Sequence, residues 1–374
     1  MPTSTGVLPF TEIFERVKIE ELRDKTLDAS AEDKYKATVN DNYRLWLPLE
    51  FDFKAYKKTA TITTTEDYIT GTLDVTSGGT ALTGNSTVWT SGMTDRKVYI
   101  NAGDEVYDFT YVSGTSGTID RAYIGTTVSA GGYSIYVKRY SLASDFWRPY
   151  NRGSQDGRPL GSFYYYRNGV RVDLAPIITE HWGNKDFHNV AEPAYYSIVD
   201  VNGTMYVELS PPDTSSRTLY YDYVPYLSPM TEYTTGTVAV TNGSATVTGT
   251  STDFSNATAL DWFRVDDDGV GSSSVWYQIL TVDNATQITL TSTYAGTTNT
   301  GKSYTTSMAP KLPQSVQPLL VYKSVIDRAI DRDAKLLQGM TALMVQFLGR
   351  IKQRDDETNE NQFESIFKKY NYRG

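Results

Sequence analysis

The chain has 374 residues, a formal net charge of −9, 39% hydrophobic and 21% charged residues, and no cysteine. Disulfide staples, thiol nucleophiles and thiolate metal sites are excluded, and no apolar run approaches the roughly 20 residues of a membrane-spanning helix. The acidic balance argues against a protein that grips nucleic acid by displacing counterions, although an acidic wall suits DNA that must slide past without sticking.

The length suffices for two or three domains with cores of their own. Tyrosines number 29 against 13 phenylalanines. An apolar body with a polar tip suits half-buried strands and subunit contacts. The first 25 residues, MPTSTGVLPFTEIFERVKIEELRDK, lack the basic stretch and following apolar stretch of a signal peptide. Over 8–27, Phe10, Ile13, Phe14 and Val17 keep the i, i+3, i+4, i+7 spacing of an amphipathic helix. Ser30 offers an N-cap with Asp33 at N3. A second helix is therefore expected from about Ala31 to Trp46, with extended chain after Pro48. Leu45, Leu47, Leu49, Phe51 and Phe53 also alternate like a strand.

From Thr59 the composition turns to Thr, Val, Gly, Ser and Tyr. Short alternating runs (TLDV, KVYI, YSIYV) are separated by turn residues, the pattern of a small Ig-like β-sandwich over 68–138. The run GTLDVTSGGTALTGNSTVW at 71–89 is answered by GTVAVTNGSATVTGTSTDF at 236–254. Gly71, Thr72, Val75, Thr76, Gly78, Thr83, Gly84, Ser86 and Thr87 meet identical residues in the second copy, and Trp89 meets Phe254. Tyr123-Ile-Gly-Thr-Thr is echoed by Tyr294-Ala-Gly-Thr-Thr, and Tyr133 by Tyr304. A long, irregular period of this kind is one domain used twice, not a solenoid. The second copy, 233–308, should carry a two-residue hairpin turn at Asn242-Gly243.

Between the copies, 139–232 is β-rich in different words, with hairpins expected over Asn168-Gly169 and Asn202-Gly203 and an aromatic strand in RTLYYDYVPYL. Pro313 and Pro318 introduce one long helix whose face includes Val316, Leu319, Leu320, Ile326, Ile330, Ala334 and Leu337, with Asp331 and Lys335 as an i, i+4 pair. Met340, Met344, Phe347, Leu348 and Ile351 continue it. After a polar break, Phe363, Ile366, Phe367 and Tyr370 form a last apolar stripe, suited either to the core or to docking on a partner. The chain reads as α+β: a core of 1–67, 139–232 and 309–374, interrupted by two inserted Ig-like domains at 68–138 and 233–308, as exposed loops permit.

Chemistry is sparse. His181 and His188 flank a glycine at a spacing that fits no helical metal pair, and a surface loop is the simpler reading. VDDDGVG at 265–271 lacks the regular spacing and closing Glu of a calcium loop. GxSxG, HExxH and P-loop patterns are absent. GRPLG at 157–161 carries no phosphate logic, and no carboxylate pair stands out. Arg148, Arg152 and Arg158, in FWRPYNRGSQDGRP, suit either a neighbouring subunit's carboxylates, a phosphate, or a solvated loop. No catalytic, metal or cofactor residue is assigned.

Taken in order, several segments resemble the head-to-tail adaptor (connector) proteins of short-tailed bacteriophages. They are the N-terminal helical pair, KKTATITTTEDYITG, YVKRYSLASDFWRPYNRG, RTLYYDYVPYLSPM and APKLPQSVQPLLVYKSVIDRAIDRD. The repeats, with G-T-V-x-V-T-x-G-S-x-x-V-x-G-x-x-T, resemble Ig-like insertions of phage structural proteins. The resemblance implies a non-enzymatic virion protein of the neck, assembled in the host cytoplasm, in a ring often of twelve copies beneath the portal. Such a ring carries the tail nozzle or tail fibre proteins, extends the channel through which genomic DNA passes without sequence-specific binding, and touches no membrane. C-terminal segments reach into the portal, which makes Phe363, Ile366, Phe367 and Tyr370 the docking candidates. Two other classes compete. A surface adhesin binding host glycans would carry a secretion signal and tandem copies. A tailspike-like glycan hydrolase would carry a long β-helix.

Overall fold

Alternating tyrosines and β-branched residues dominate residues 57–226, and strands dominate their structure. The computed structural model describes residues 8–22, 29–50, 56–102, 105–150, 154–155, 158–159, 162–177, 192–266, 275–330 and 333–358. The protein is mixed α+β with more strand than helix. Its contacts divide it into two compact units, 57–226 and the combination of 1–56 with 227–374. Helices and middle β segment thus fall in different units rather than in one shared core, and each unit holds one copy of the repeat.

In the first unit the chain enters through β1 (Lys58–Thr63). It then builds the first module from β2 (Thr72–Val75), β3 (Ala81–Asn85), β4 (Arg96–Ile100), β5 (Glu105–Ser113), β6 (Ser116–Ile119), β7 (Val128–Gly131) and β8 (Tyr133–Tyr136). Thereafter come β9 (Arg139–Ser141), β10 (Phe146–Pro149), β11 (Ser154–Gln155), β12 (Arg158–Pro159), β13 (Phe163–Arg167), β14 (Val170–Asp173), β15 (Ala175–Pro176), β16 (Tyr195–Val201), β17 (Thr204–Ser210) and β18 (Thr218–Pro225).

Asn168-Gly169 and Asn202-Gly203 make the expected two-residue hairpins: all four residues have positive φ (50°, 78°, 53° and 80°), as a type I′ turn requires. β18 is central in one sheet, pairing β1 along one side and β13 and β10 along the other, with β14 beyond β13. A second sheet runs β15-β16-β17-β9. The two share a core of Tyr140, Phe146, Phe163, Tyr165, Tyr196, Val207, Leu219, Tyr221 and Tyr223, in which the Phe163 and Tyr221 rings stack at 5.2 Å.

The second unit begins with α1 (Phe10–Leu22) and α2 (Ala29–Asp41). Phe10, Ile13, Phe14 and Val17 are buried as their spacing predicts. α2 starts one residue ahead of the proposed Ser30 cap, within the ordinary uncertainty of helix ends. The chain does not become extended after Trp46. A π-helical turn at Asn42–Trp46, closed by the Leu47 N–H on the Asn42 carbonyl, leads into α3 (Leu47–Glu50). The wider turn gives the Pro48 ring room that a regular α-helix denies it.

The single long helix predicted after Pro313 is two: α4 (Pro318–Ala329) and α5 (Ala334–Thr358). Asp333 restarts the helix, its carboxylate accepting from the N–H groups of Lys335 (3.0 Å) and Leu336 (2.9 Å), the geometry of an N-cap. Asp331, of the proposed ion pair, lies outside the described residues. α5 folds back on α4, with Tyr322 edge-on to Phe347 and Met340, Met344 and Leu348 buried.

Between α3 and α4 lies the second module: β19 (Glu232–Tyr233), β20 (Thr237–Val240), β21 (Thr246–Thr250), β22 (Trp262–Val265), β23 (Tyr277–Asn284), β24 (Gln287–Leu290), β25 (Asn299–Lys302) and β26 (Tyr304–Ser307). The first module runs β7-β2-β3-β6-β5-β4-β8, and the second runs β25-β20-β21-β24-β23-β22-β26 with β19 added beside β26. The order is the same. The last strand of each module is divided, its first part pairing one end of the ladder and its second part the other. A bulge at the left-handed residue Ala130 (φ 52°), or Gly301 (φ 69°) in the second copy, turns the strand there.

The hydrogen bonds repeat as well. Thr87 Oγ1 donates to the Gly114 carbonyl and Thr252 Oγ1 to that of Ala285. The Tyr133 hydroxyl donates to Thr70 O at 2.7 Å and that of Tyr304 to Thr235 O at 2.8 Å. Gly84 and Gly249 are needed for space, since a Cβ at either would lie 2.1 Å from the Oγ1 of Thr87 or Thr252. Entry and exit adjoin in both modules, Tyr68 bridging Ile135 and Tyr233 pairing Thr306.

The turn at Asn242-Gly243 differs from expectation. Only Gly243 has positive φ, and Ser244 N–H closes a four-residue turn on Thr241 O. The Asn242 side chain instead donates to the carbonyls of Ala295 and Gly296, so a tertiary contact overrides the local hairpin preference.

One position is conformationally costly. Exposed Leu260 has φ 79°, where the matching residue in the first module is Asp95, φ 66°. A left-handed residue with a full side chain costs about 1–2 kcal/mol, and Asn tolerates the region best after Gly. Leu260→Asn should therefore stabilise the second module by about 1 kcal/mol, read as a raised melting temperature. An unchanged or lowered melt would show that the leucine side chain contributes more than its backbone costs.

Candidate functional site

The proposed site residues are placed unevenly. Arg148 lies on β10, in a strand rather than a loop. Its guanidinium is 5.9 Å from the Trp147 ring and donates to Pro149 O at 3.3 Å. Arg158 belongs to β12, paired with Gln155 of β11, and its side chain lies outside the described residues, as does Arg152 entirely. Phe363, Ile366, Phe367, Tyr370, His181 and His188 also lie outside them. Of the acidic run at 265–271, Asp266 accepts from Thr305 Oγ1 and Arg264, so its oxygens are engaged in structure. Among the described residues no group of three His, Cys, Asp or Glu side chains could hold a metal ion, and no helix is long and apolar enough to cross a membrane.

The most distinctive surface feature was not picked out by sequence reasoning: the edge of β1. Its six residues pair with β18 without a register shift, Lys58 opposite Tyr223 through Thr63 opposite Thr218. The phase of the ladder is fixed at two points. Thr64 N–H donates to Arg217 O, while on the far side of β18 Asp222 N–H donates to Ser162 O. Odd residues of β18 therefore bond β1, and the even residues of β1 face them. Thr59, Thr61 and Thr63 point their N–H and C=O groups the other way. Among the described residues nothing pairs that edge, and all three threonines are exposed.

Side chains clamp both ends of the strand. At its start, the Lys58 ammonium meets Asp145 at 2.6 Å, Thr59 Oγ1 donates to the fully buried Asp222, and Lys57 approaches Asp222 at 3.4 Å. Burial opposes ionisation of Asp145, but hydrogen bonds from Lys58 and Tyr223 outweigh it and hold the carboxyl below the usual aspartate range. At the other end, Thr64 Oγ1 donates to the fully buried Asp213 at 2.7 Å. Asp213 also takes an ion pair from Arg217 at 2.6 Å and hydrogen bonds from Ser215. The Arg217 guanidinium in turn covers the Tyr165 ring at 4.8 Å.

Beside the edge, the outward face of the same sheet carries tyrosines. Tyr164 stacks on Tyr220 at 5.5 Å, Tyr166 stands edge-on to Tyr220, and Arg171 covers Tyr164 at 3.5 Å while paired to Asp173 at 2.6 Å. Tyr166 is about half exposed (53%). Tyrosine and arginine held in fixed rotamers lose little entropy on contact, which suits a surface for protein recognition. β14, at the other end of the sheet, is better defended. Its outward-pointing backbone belongs to Arg171 and Asp173, charged residues of the kind that protect edges.

A sequence signal for the open edge existed in KTATIT, a β-rich run without proline whose one charge, Lys58, stands at its first position. Which strand ends a sheet is a tertiary fact, however, and the run alone does not carry it. No protein-family model matches the chain, and no curated protein matches it.

Proposed function

We propose that the protein is a structural component of a virion, a head-to-tail adaptor that assembles as a ring beneath a portal and links it to the tail. The observation that carries the reading is the packing of the chain's early and late segments in one unit. Leu8 N–H donates to Gln317 Oε1, and buried Asn42 donates to Ser324 and Asp327 of α4. α1, α2 and α4 thus close one helical unit in the segment order of the adaptor resemblance. From it, α5 carries the chain toward the apolar stripe Phe363, Ile366, Phe367 and Tyr370, which docks on the portal. The ring carries tail nozzle or tail fibre proteins, and the duplicated modules enlarge the surface on which a further partner can dock. Genomic DNA passes the acidic surface without sequence-specific contact. In this reading Arg148, Arg152 and Arg158 lie at contacts between ring neighbours.

Burying one large apolar side chain is worth about 1.5–3 kcal/mol. Three or four anchors hold a subunit only modestly once ordering costs are deducted, and a ring multiplies that grip. Phe363→Asp with Phe367→Asp should leave the thermal melt unchanged and abolish co-sedimentation with the portal protein. Normal co-sedimentation would remove the docking role, and a collapsed melt would return the stripe to the core.

A further inference from the structure

Among the described residues nothing pairs the outer side of β1, whose ladder with β18 has no register shift and whose two ends are clamped by side chains. An unprotected edge is a template for another strand. The residues of this one favour a copy of itself.

We propose that β1 pairs antiparallel with β1 of a second copy of this chain, two-fold symmetric about Thr61. Opposite residues in an antiparallel pair share a face, so the central symmetric registers place Thr61 opposite Thr61, Ala60 opposite Ala60 or Ile62 opposite Ile62. Only the first uses all three outward-pointing residues, setting Thr59 against Thr63, Thr61 against Thr61 and Thr63 against Thr59. Each such pair exchanges two backbone bonds, and the exposed threonine side chains line up for cross-strand hydrogen bonding. On the other face Ala60 meets Ile62, small against large.

Charge agrees with this register. It brings Lys57 and Lys58 of each copy, held by Asp222 and Asp145, to the end where the other carries exposed Glu66. Two chains of net charge −9 thus meet with paired lysines rather than bare carboxylates facing that glutamate. A cyclic ring joins its members head to tail, through unlike surfaces. The two-fold pair is therefore a state of the free chain, and it stands whether or not the adaptor reading holds.

The chain has no cysteine, which allows a clean test on the full-length protein. Sedimentation across a concentration series should reveal a monomer–dimer equilibrium. A Thr61→Cys variant should be joined into dimers by a short bismaleimide, while Val170→Cys, also exposed and on the opposite edge strand (67%), should not. Thr61→Pro removes an N–H that β18 does not use, a change edge strands tolerate, and should raise the dimer dissociation constant about tenfold or more. Should its melt reveal misfolding, Glu66→Lys supplies the second arm, weakening the dimer by setting lysines against lysine. A chain monomeric at every concentration, equal cross-linking at Val170→Cys, or a dimer indifferent to the folded edge variants would overturn the proposal and leave the edge to a strand of another protein.

Discussion

Asp213→Ala should destabilise the first unit by about 3 kcal/mol and release β1 from its sheet. The carboxylate is fully buried and is the common acceptor for Thr64, Ser215 and Arg217. Breaking a buried pair by removing one partner costs about 3–5 kcal/mol, because the other charge is left uncompensated. The lower end applies here, since the Arg217 side chain keeps some solvent exposure and a 3.5 Å contact with Glu192. Removing both charges, as Asp213→Ala with Arg217→Met, should recover part of the loss. Hydrogen exchange is the sharper readout. Protection should fall across 58–64 and 218–223, while 236–306 stays as it was. Uniform loss over the chain would mean that the cluster supports the whole fold, and no loss would mean that water replaces the carboxylate at little cost.

This cluster also marks the limit of what the sequence discloses. Local signals were legible: positive φ at Asn168-Gly169 and Asn202-Gly203, the buried stripe of α1, and the repeated wording that becomes a repeated strand order. Long-range facts were not. Asp213 meets Thr64 across 149 residues, and neither residue type announces a partner. Which ends of each module's ladder the two parts of its last strand join depends on strands distant in sequence. Pro48 is a helix breaker on its own, yet a π-helical turn before it makes room. Asp333 could have been found, as an Asp preceding a helical run is a capping signal, but the apolar periodicity runs past it and suggested one helix. The β1 edge lies between these cases. Its composition is readable and its exposure is not.

The second large effect concerns the two modules. Trp89 and Phe254 occupy matching positions, both buried, each edge-on to the tyrosine of its own last strand, Tyr133 at 6.0 Å and Tyr304 at 5.5 Å. Truncating a buried aromatic to alanine costs about 3–5 kcal/mol through lost burial and the cavity left behind. Trp89→Ala should be the worse of the two, because the indole N–H also donates to the Tyr133 hydroxyl at 2.9 Å. Burial pushes that hydroxyl up to about 12, so it stays neutral and keeps its donor for the Thr70 carbonyl; loss of the indole removes only what it accepts. Phe254 has no polar group to lose. Hydrogen exchange should therefore collapse over 71–136 in Trp89→Ala and over 236–307 in Phe254→Ala, each sparing the other module. Trp89→Phe, which copies the second module into the first, should recover most of the stability. Loss of protection in both modules from either substitution would mean that the copies fold as one body, and a mild effect at both positions would mean that the aromatic seat is filled by neighbours rather than left open.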